Sequence, residues 1–85
     1  MYSKDMVIMC KDGLHSKVAS DFVQVASKFK SSITAETDEC RVDAKSLLAL
    51  LSLKIFCGTP LTITADGVDE KEAVNALYAV ASQTN

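Results

Sequence analysis

The five residues Leu61 to Ala65, LTITA, alternate without a break: Leu61, Ile63 and Ala65 fall on one side of an extended chain, Thr62 and Thr64 on the other. A strand written this way has one dry face and one wet face. It belongs in a sheet covered on a single side, and sheets of that kind are usually antiparallel. The segment SSITAE, from Ser31 to Glu36, alternates in the same way, and Thr37 to Glu39 reads as a tight connection to a short partner strand around Cys40 to Val42. Near the start, Met6 to Cys10 (MVIMC) is short, apolar and bounded by Asp5 and a Lys-Asp-Gly turn, which predicts a buried strand.

The covering layer is written between these strands. From Ser16 to Phe29 the apolar positions Val18, Ala19, Phe22, Val23, Ala26 and Phe29 recur three and four apart. That spacing puts them on one helical face, with Asp21, Gln24, Ser27 and Lys28 outside. Ser46 stands where it can cap a second helical run, Leu47 to Leu53. Pro60 resets the chain, and Asp69 with Glu72 three residues later forms a capping-box pattern for a last helix over Glu70 to Ser82. That helix presents Ala73, Val74, Leu77, Val80 and Ala81 inward. The order is β-α-β-β-α-β-α, a two-layer α+β fold with three helices on one face of the sheet.

At 85 residues the chain reads as one domain, residues 1–85, with a single core. Its formal net charge of -2 sets up no basic field, so direct nucleic-acid binding is not expected. No apolar run approaches the roughly 20 residues that span a bilayer, which argues against membrane insertion. The opening MYSKDMVIMCKDG alternates and carries charges, unlike a signal peptide, and a cytoplasmic protein is expected. Cys10, Cys40 and Cys57 are odd in number and lack any CxxC spacing, so they are expected to act as small apolar residues on or near the core. Neither a metal site nor a cofactor is called for.

The chain's single histidine, His15, stands where a loop becomes a helix, in DGLHSKVASDF. With His15 as the capping residue, Ser16, Lys17 and Val18 supply the first N–H groups of the helix, which lack carbonyl partners one turn back. Those donors and the helix dipole suit an anion. An imidazole held there can carry a phosphoryl group on a ring nitrogen, with Lys17 adding charge and Ser16 a hydroxyl donor. The same dipole disfavours a protonated ring and so keeps the nitrogen nucleophilic near neutral pH. The plainer alternative is that His15 only caps the helix or sits on the surface. No paired carboxylates, second histidine or GxSxG accompany it, so a hydrolase or a metal enzyme has little support.

GLHSKVAS, AKSLLALLSL with Ser46 at its cap, and GTPLTITADGVDEKEAV, taken in this order, resemble the HPr family over essentially the whole chain. HPr proteins are the histidine-containing phosphocarriers of the bacterial phosphoenolpyruvate-dependent sugar phosphotransferase system. The resemblance implies an open-faced β-sandwich, a four-stranded antiparallel sheet covered on one face by three helices. It implies that His15 accepts phosphate from enzyme I and passes it to IIA components of sugar permeases, as a monomeric carrier without turnover of its own. It further implies Ser46 as a regulatory phosphorylation site, with HPr kinase/phosphorylase and a catabolite-control transcription factor as candidate partners. A phosphate there would bring about -2 charge next to a docking face for which Leu47, Leu48 and Leu51 are the candidates.

Three positions depart from the family pattern. Lys17 and Val18 stand where the family signature has Arg and Pro, and Lys54 where it often has Gly. An ammonium is a flexible point charge, whereas a guanidinium grips phosphate oxygens in a fixed fork. Valine restores an N–H that proline lacks but leaves the helix start less constrained. The alternative reading is therefore an HPr-like regulatory protein, a corepressor or signalling paralogue that acts through Ser46-dependent binding with weak phosphotransfer.

Overall fold

The computed structural model describes residues 1–7, 16–38, 40–53 and 60–82, with Ser16, Lys17, Val18 and Ser82 described through their backbone. Its elements are β1 (Tyr2–Val7), α1 (Ser16–Ala26), β2 (Ser32–Glu36), β3 (Arg41–Asp43), α2 (Leu47–Ser52), β4 (Pro60–Asp66) and α3 (Glu70–Ser82). The four strands form one antiparallel sheet in the order β1-β4-β2-β3. The strand with the cleanest alternation, β4, is central, and its inward Leu61, Ile63 and Ala65 are fully buried. The register sets Ala65 opposite Ile33 and Ile63 opposite Ala35, so β2 contributes the neighbouring strip of core. On the other face, Ser3 and Thr64 share a hydrogen bond and Thr62 donates to Asp5, which satisfies the hydroxyls that face water.

Helices cover the inner face. Phe22 of α1, Leu50 of α2 and Val74 and Leu77 of α3 close over the strands. Seven of the fifteen buried apolar residues among the described residues are alanines, so the helix backbones approach the sheet closely and little side-chain entropy is lost.

Several boundaries differ from the sequence expectation. The first strand is Tyr2–Val7, not Met6 to Cys10, of which residues 8–10 lie outside the described residues. The apolar run masks the alternation upstream of it: Tyr2, Lys4 and Met6 share the inner side, and the Lys4 ammonium lies 4.1 Å from the Tyr78 ring centroid on α3. An inward-pointing lysine softened by an aromatic ring suits an edge strand. The first helix stops at Ala26, not Phe29. Its exit tightens to three-residue hydrogen bonds from Lys28 N–H to Val25 and from Phe29 N–H to Ala26, and Phe29 packs against the core from the turn. The short partner strand runs one residue later than expected, Arg41–Asp43.

Asp69, expected to form a capping box with Glu72, has a different role. Its carboxylate accepts from the N–H groups of Lys30 (2.8 Å) and Ser31 (3.0 Å) and from the Ser31 hydroxyl, tying the start of α3 to the turn after α1. The Ser31 hydroxyl is the main cause holding the Asp69 pKa below its ordinary value of 3.8, followed by the Lys30 N–H. The side chain that reaches back to a backbone donor is that of Glu70, on Gly67 N–H at 3.2 Å. Ser31 is the one buried polar residue among those described, at 1% exposure, and Gly67 lies directly against it.

Candidate functional site

α1 begins at Ser16, so the backbone of Ser16, Lys17 and Val18 forms its first turn. His15, which immediately precedes it, lies outside the described residues, as does Lys54. What the structure adds is the second half of the candidate site, α2 and the turn that launches it.

Ser46 is the cap expected of it. Its backbone is extended (φ -107°, ψ 115°), its hydroxyl accepts from Ala49 N–H at 3.3 Å, and its carbonyl accepts from Leu50 N–H at 3.0 Å. The turn before it is cross-linked. Asp43 accepts Ser46 N–H on its carbonyl (3.1 Å) and Lys45 N–H on its carboxylate (2.9 Å), while the Lys45 ammonium donates to the Phe29 carbonyl at 2.9 Å. Buried Ala44 donates to the Ile33 carbonyl, fastening the same turn to β2.

The helix that follows is apolar nearly all round, and the structure divides its leucines. Leu50 points into the core at 1% exposure, and Leu53, the C-cap, packs partly against it. Leu48 is 81% exposed, Leu47 39% and Leu51 36%. Three of the four leucines of α2 are thus exposed, and together they form an apolar patch on an element that packs against α1.

Cys40 departs from its expected place near the core. It sits in the β2–β3 connection, closed by Thr37 N–H donating to the Cys40 carbonyl at 2.8 Å, and its side chain is exposed and free. The turn's geometry, not apolar burial, determines the position. Cys10 and Cys57 lie outside the described residues. Among the described residues no helix is long and apolar enough to cross a membrane.

Sequence reasoning missed the Lys45 brace and the true partners of Asp69. Both are contacts between residues far apart in the chain, 16 positions for Lys45 and Phe29, 38 for Asp69 and Ser31. No local spacing announces them. A lysine before a capping serine reads as an ordinary solvated side chain.

The architecture defines an open-faced α+β sandwich whose short second helix presents a capped serine and an apolar patch beside the helix that begins after the lone histidine. Comparison with known proteins places it more closely. The family model described as the PTS HPr component phosphorylation site matches residues 2–83. Phosphocarrier protein HPr of Haemophilus influenzae is 46% identical over 80 residues, 94% of each chain. The HPr-like protein Crh of Halalkalibacterium halodurans is 42% identical over 79 residues, 93% of this chain and 94% of that one. The crystal structure of HPr-C-His from Thermoanaerobacter tengcongensis superposes with a TM-score of 0.93 at 40% identity, covering 96% of this chain and 92% of that one. The chain belongs to the HPr family of phosphocarrier proteins of the phosphotransferase system.

Proposed function

We propose that this protein carries a phosphoryl group on His15, taking it from enzyme I and handing it to IIA components of sugar permeases. On uptake a ring nitrogen of His15 attacks phosphorus as the bond to the donor's leaving atom breaks. The reverse attack by the acceptor frees the imidazole again. Little covalent chemistry is asked of the protein; positioning and charge stabilisation suffice. The backbone N–H groups of Ser16, Lys17 and Val18 and the Lys17 ammonium are the groups proposed to hold the phosphoryl oxygens. The protein binds and releases the group without turnover of its own.

The observation that carries this reading is the family match over residues 2–83, joined to an α1 that starts one residue after His15. The exposed Leu47, Leu48 and Leu51 supply the docking surface, and the capped Ser46 beside them supplies a control point. A phosphate on Ser46 would set about -2 charge against an apolar patch and oppose an acidic partner. HPr kinase/phosphorylase is the proposed source of that phosphate.

The test is a reconstituted sugar-phosphorylation assay containing enzyme I, phosphoenolpyruvate and a IIA-bearing permease. The wild type is expected to support sugar phosphate formation and His15→Ala to abolish it. Failure of the wild type alongside an active HPr control would remove the carrier role.

A second reading, supported by the 42% identical relative named HPr-like protein Crh, is regulatory. In it the output is binding to a catabolite-control transcription factor switched by Ser46, and Lys17 and Val18 mark relaxed pressure on transfer. Binding that requires phosphorylated Ser46 and is indifferent to His15→Ala distinguishes it.

A further inference from the structure

A six-residue helix cannot hold its own orientation. Isolated helices shorter than about 12–15 residues are marginal in water, and α2 has no acidic residue in its first turn or basic residue in its last to complement its dipole. Its one fully buried side chain is Leu50. The direction in which Leu47, Leu48 and Leu51 face is therefore set by the seating of Leu50 and Leu53 on the core together with what fastens the helix at its start. The bonds from Asp43 to Lys45 and Ser46, and from Ala44 to Ile33, fasten it to the sheet. The bond from the Lys45 ammonium to the Phe29 carbonyl, 2.9 Å and part-buried, fastens it to the exit of α1.

This bond has a functional consequence under the carrier reading, on which the inference rests. A donor protein has to seat on the α2 leucines while its phosphoryl group reaches the imidazole before α1. Both ends of that contact are met at once only when the two helices keep a fixed relation. We propose that Lys45 is a positioning residue: its ammonium, by holding the Phe29 carbonyl, keeps the α2 docking patch aligned with α1, so that affinity for enzyme I depends on Lys45 without Lys45 touching the partner. Without the brace the aligned arrangement becomes one of several. Apparent affinity falls by the fraction of time it is populated.

The experiment compares wild type, Lys45→Met, which keeps the apolar stem and removes the ammonium, and Lys45→Arg, which keeps a charged donor. Phosphorylation by enzyme I is measured against carrier concentration at low and high salt, with hydrogen exchange of the α2 amides alongside and thermal melts to establish that each variant folds. Lys45→Met is expected to raise KM by about three- to tenfold, the range for the net contribution of one intramolecular hydrogen bond. Its kcat stays at the wild-type value, the ratio to wild type is the same at both salt concentrations, and the Leu50 and Leu53 amides exchange faster. Lys45→Arg is expected to restore both KM and protection. An unchanged KM, or unchanged α2 exchange with a KM defect that disappears at high salt, overturns the proposal, because the second pattern is that of a direct charge contact. Wild-type protein that takes no phosphate overturns the carrier reading beneath it. A wild type that is phosphorylated, with Lys45→Met indistinguishable from it, overturns this inference alone.

Discussion

Gly67 offers the sharpest test of how the fold is locked. A Cβ built on it would lie 2.6 Å from the Ser31 hydroxyl oxygen, 2.7 Å from Ser31 Cα and 2.9 Å from Ser31 Cβ. Ser31 is buried and bound to Asp69 through both its N–H and its hydroxyl, so it cannot swing away. Overpacking of this kind costs about 1–3 kcal/mol. The opposing effect, the smaller entropy of an unfolded alanine, stabilises by about 0.4–1 kcal/mol. Sterics prevail, and Gly67→Ala is expected to destabilise by about 1–2 kcal/mol. For a domain of this size that lowers Tm by about 5–15 °C. Urea unfolding read by far-UV circular dichroism gives the free energy, with an unchanged slope showing that the cooperative unit is intact. Adding Ser31→Ala relieves the contact with the hydroxyl but leaves the backbone contact at 2.7 Å, so the double variant is not expected to regain stability relative to Ser31→Ala alone. A Gly67→Ala protein within about 0.5 kcal/mol of wild type, the range of ordinary surface changes, would refute the reasoning, and full recovery by Ser31→Ala would refute the backbone part of it.

Within α2, Leu50→Ala is expected to cost about 2–5 kcal/mol by leaving a cavity, whereas Leu48→Ser stays within about 0.5 kcal/mol of wild type yet raises KM for enzyme I; melts and transfer assays on the pair separate core from patch. Ser46→Ala removes the hydroxyl that accepts Ala49 N–H and is expected to cost about 1 kcal/mol. Ser46→Asp keeps a capping acceptor and so keeps the melt near wild type, while its added charge lowers the rate of phosphate uptake from enzyme I. Asp69, with its pKa held below 3.8 chiefly by the Ser31 hydroxyl, binds a proton less readily folded than unfolded. Its contribution is thus present above the unfolded pKa and lost as pH falls through the folded one. Asp69→Asn is expected to flatten the fall in stability as pH drops below the ordinary carboxylate range in urea melts; an unchanged slope would assign that fall to other carboxylates.

What could be read from the residues was whatever repeats at short range. The alternation in Leu61 to Ala65, the 3–4 spacing of Ala19, Phe22 and Ala26, and the span of α3 are local patterns, and the structure follows them. So does the Ser46 cap, whose donor is three residues away. The misplaced first strand shows how a local pattern misleads: MVIMC is more apolar than YSKDMV, but an edge strand with a wet face is marked by alternation, and Lys4 hides it by pointing inward. The capping box at Asp69 failed for the opposite reason. The spacing to Glu72 is right, but a buried serine 38 residues earlier offers the carboxylate more donors than the helix start does. Which of the α2 leucines are buried depends on how the helix is fastened at Asp43 and Lys45, and no run of leucines records that.

Whether His15 carries phosphate is decided by intact mass. Purified protein is incubated with enzyme I and phosphoenolpyruvate beside a His15→Ala control and weighed at neutral pH and again after acid treatment. The carrier role predicts one added phosphate on the wild type, lost in acid as expected of a phosphorylated imidazole, and none on the control. An unmodified wild type in the presence of an enzyme I that is active on another HPr, or an equal mass gain in the His15→Ala protein, would contradict it.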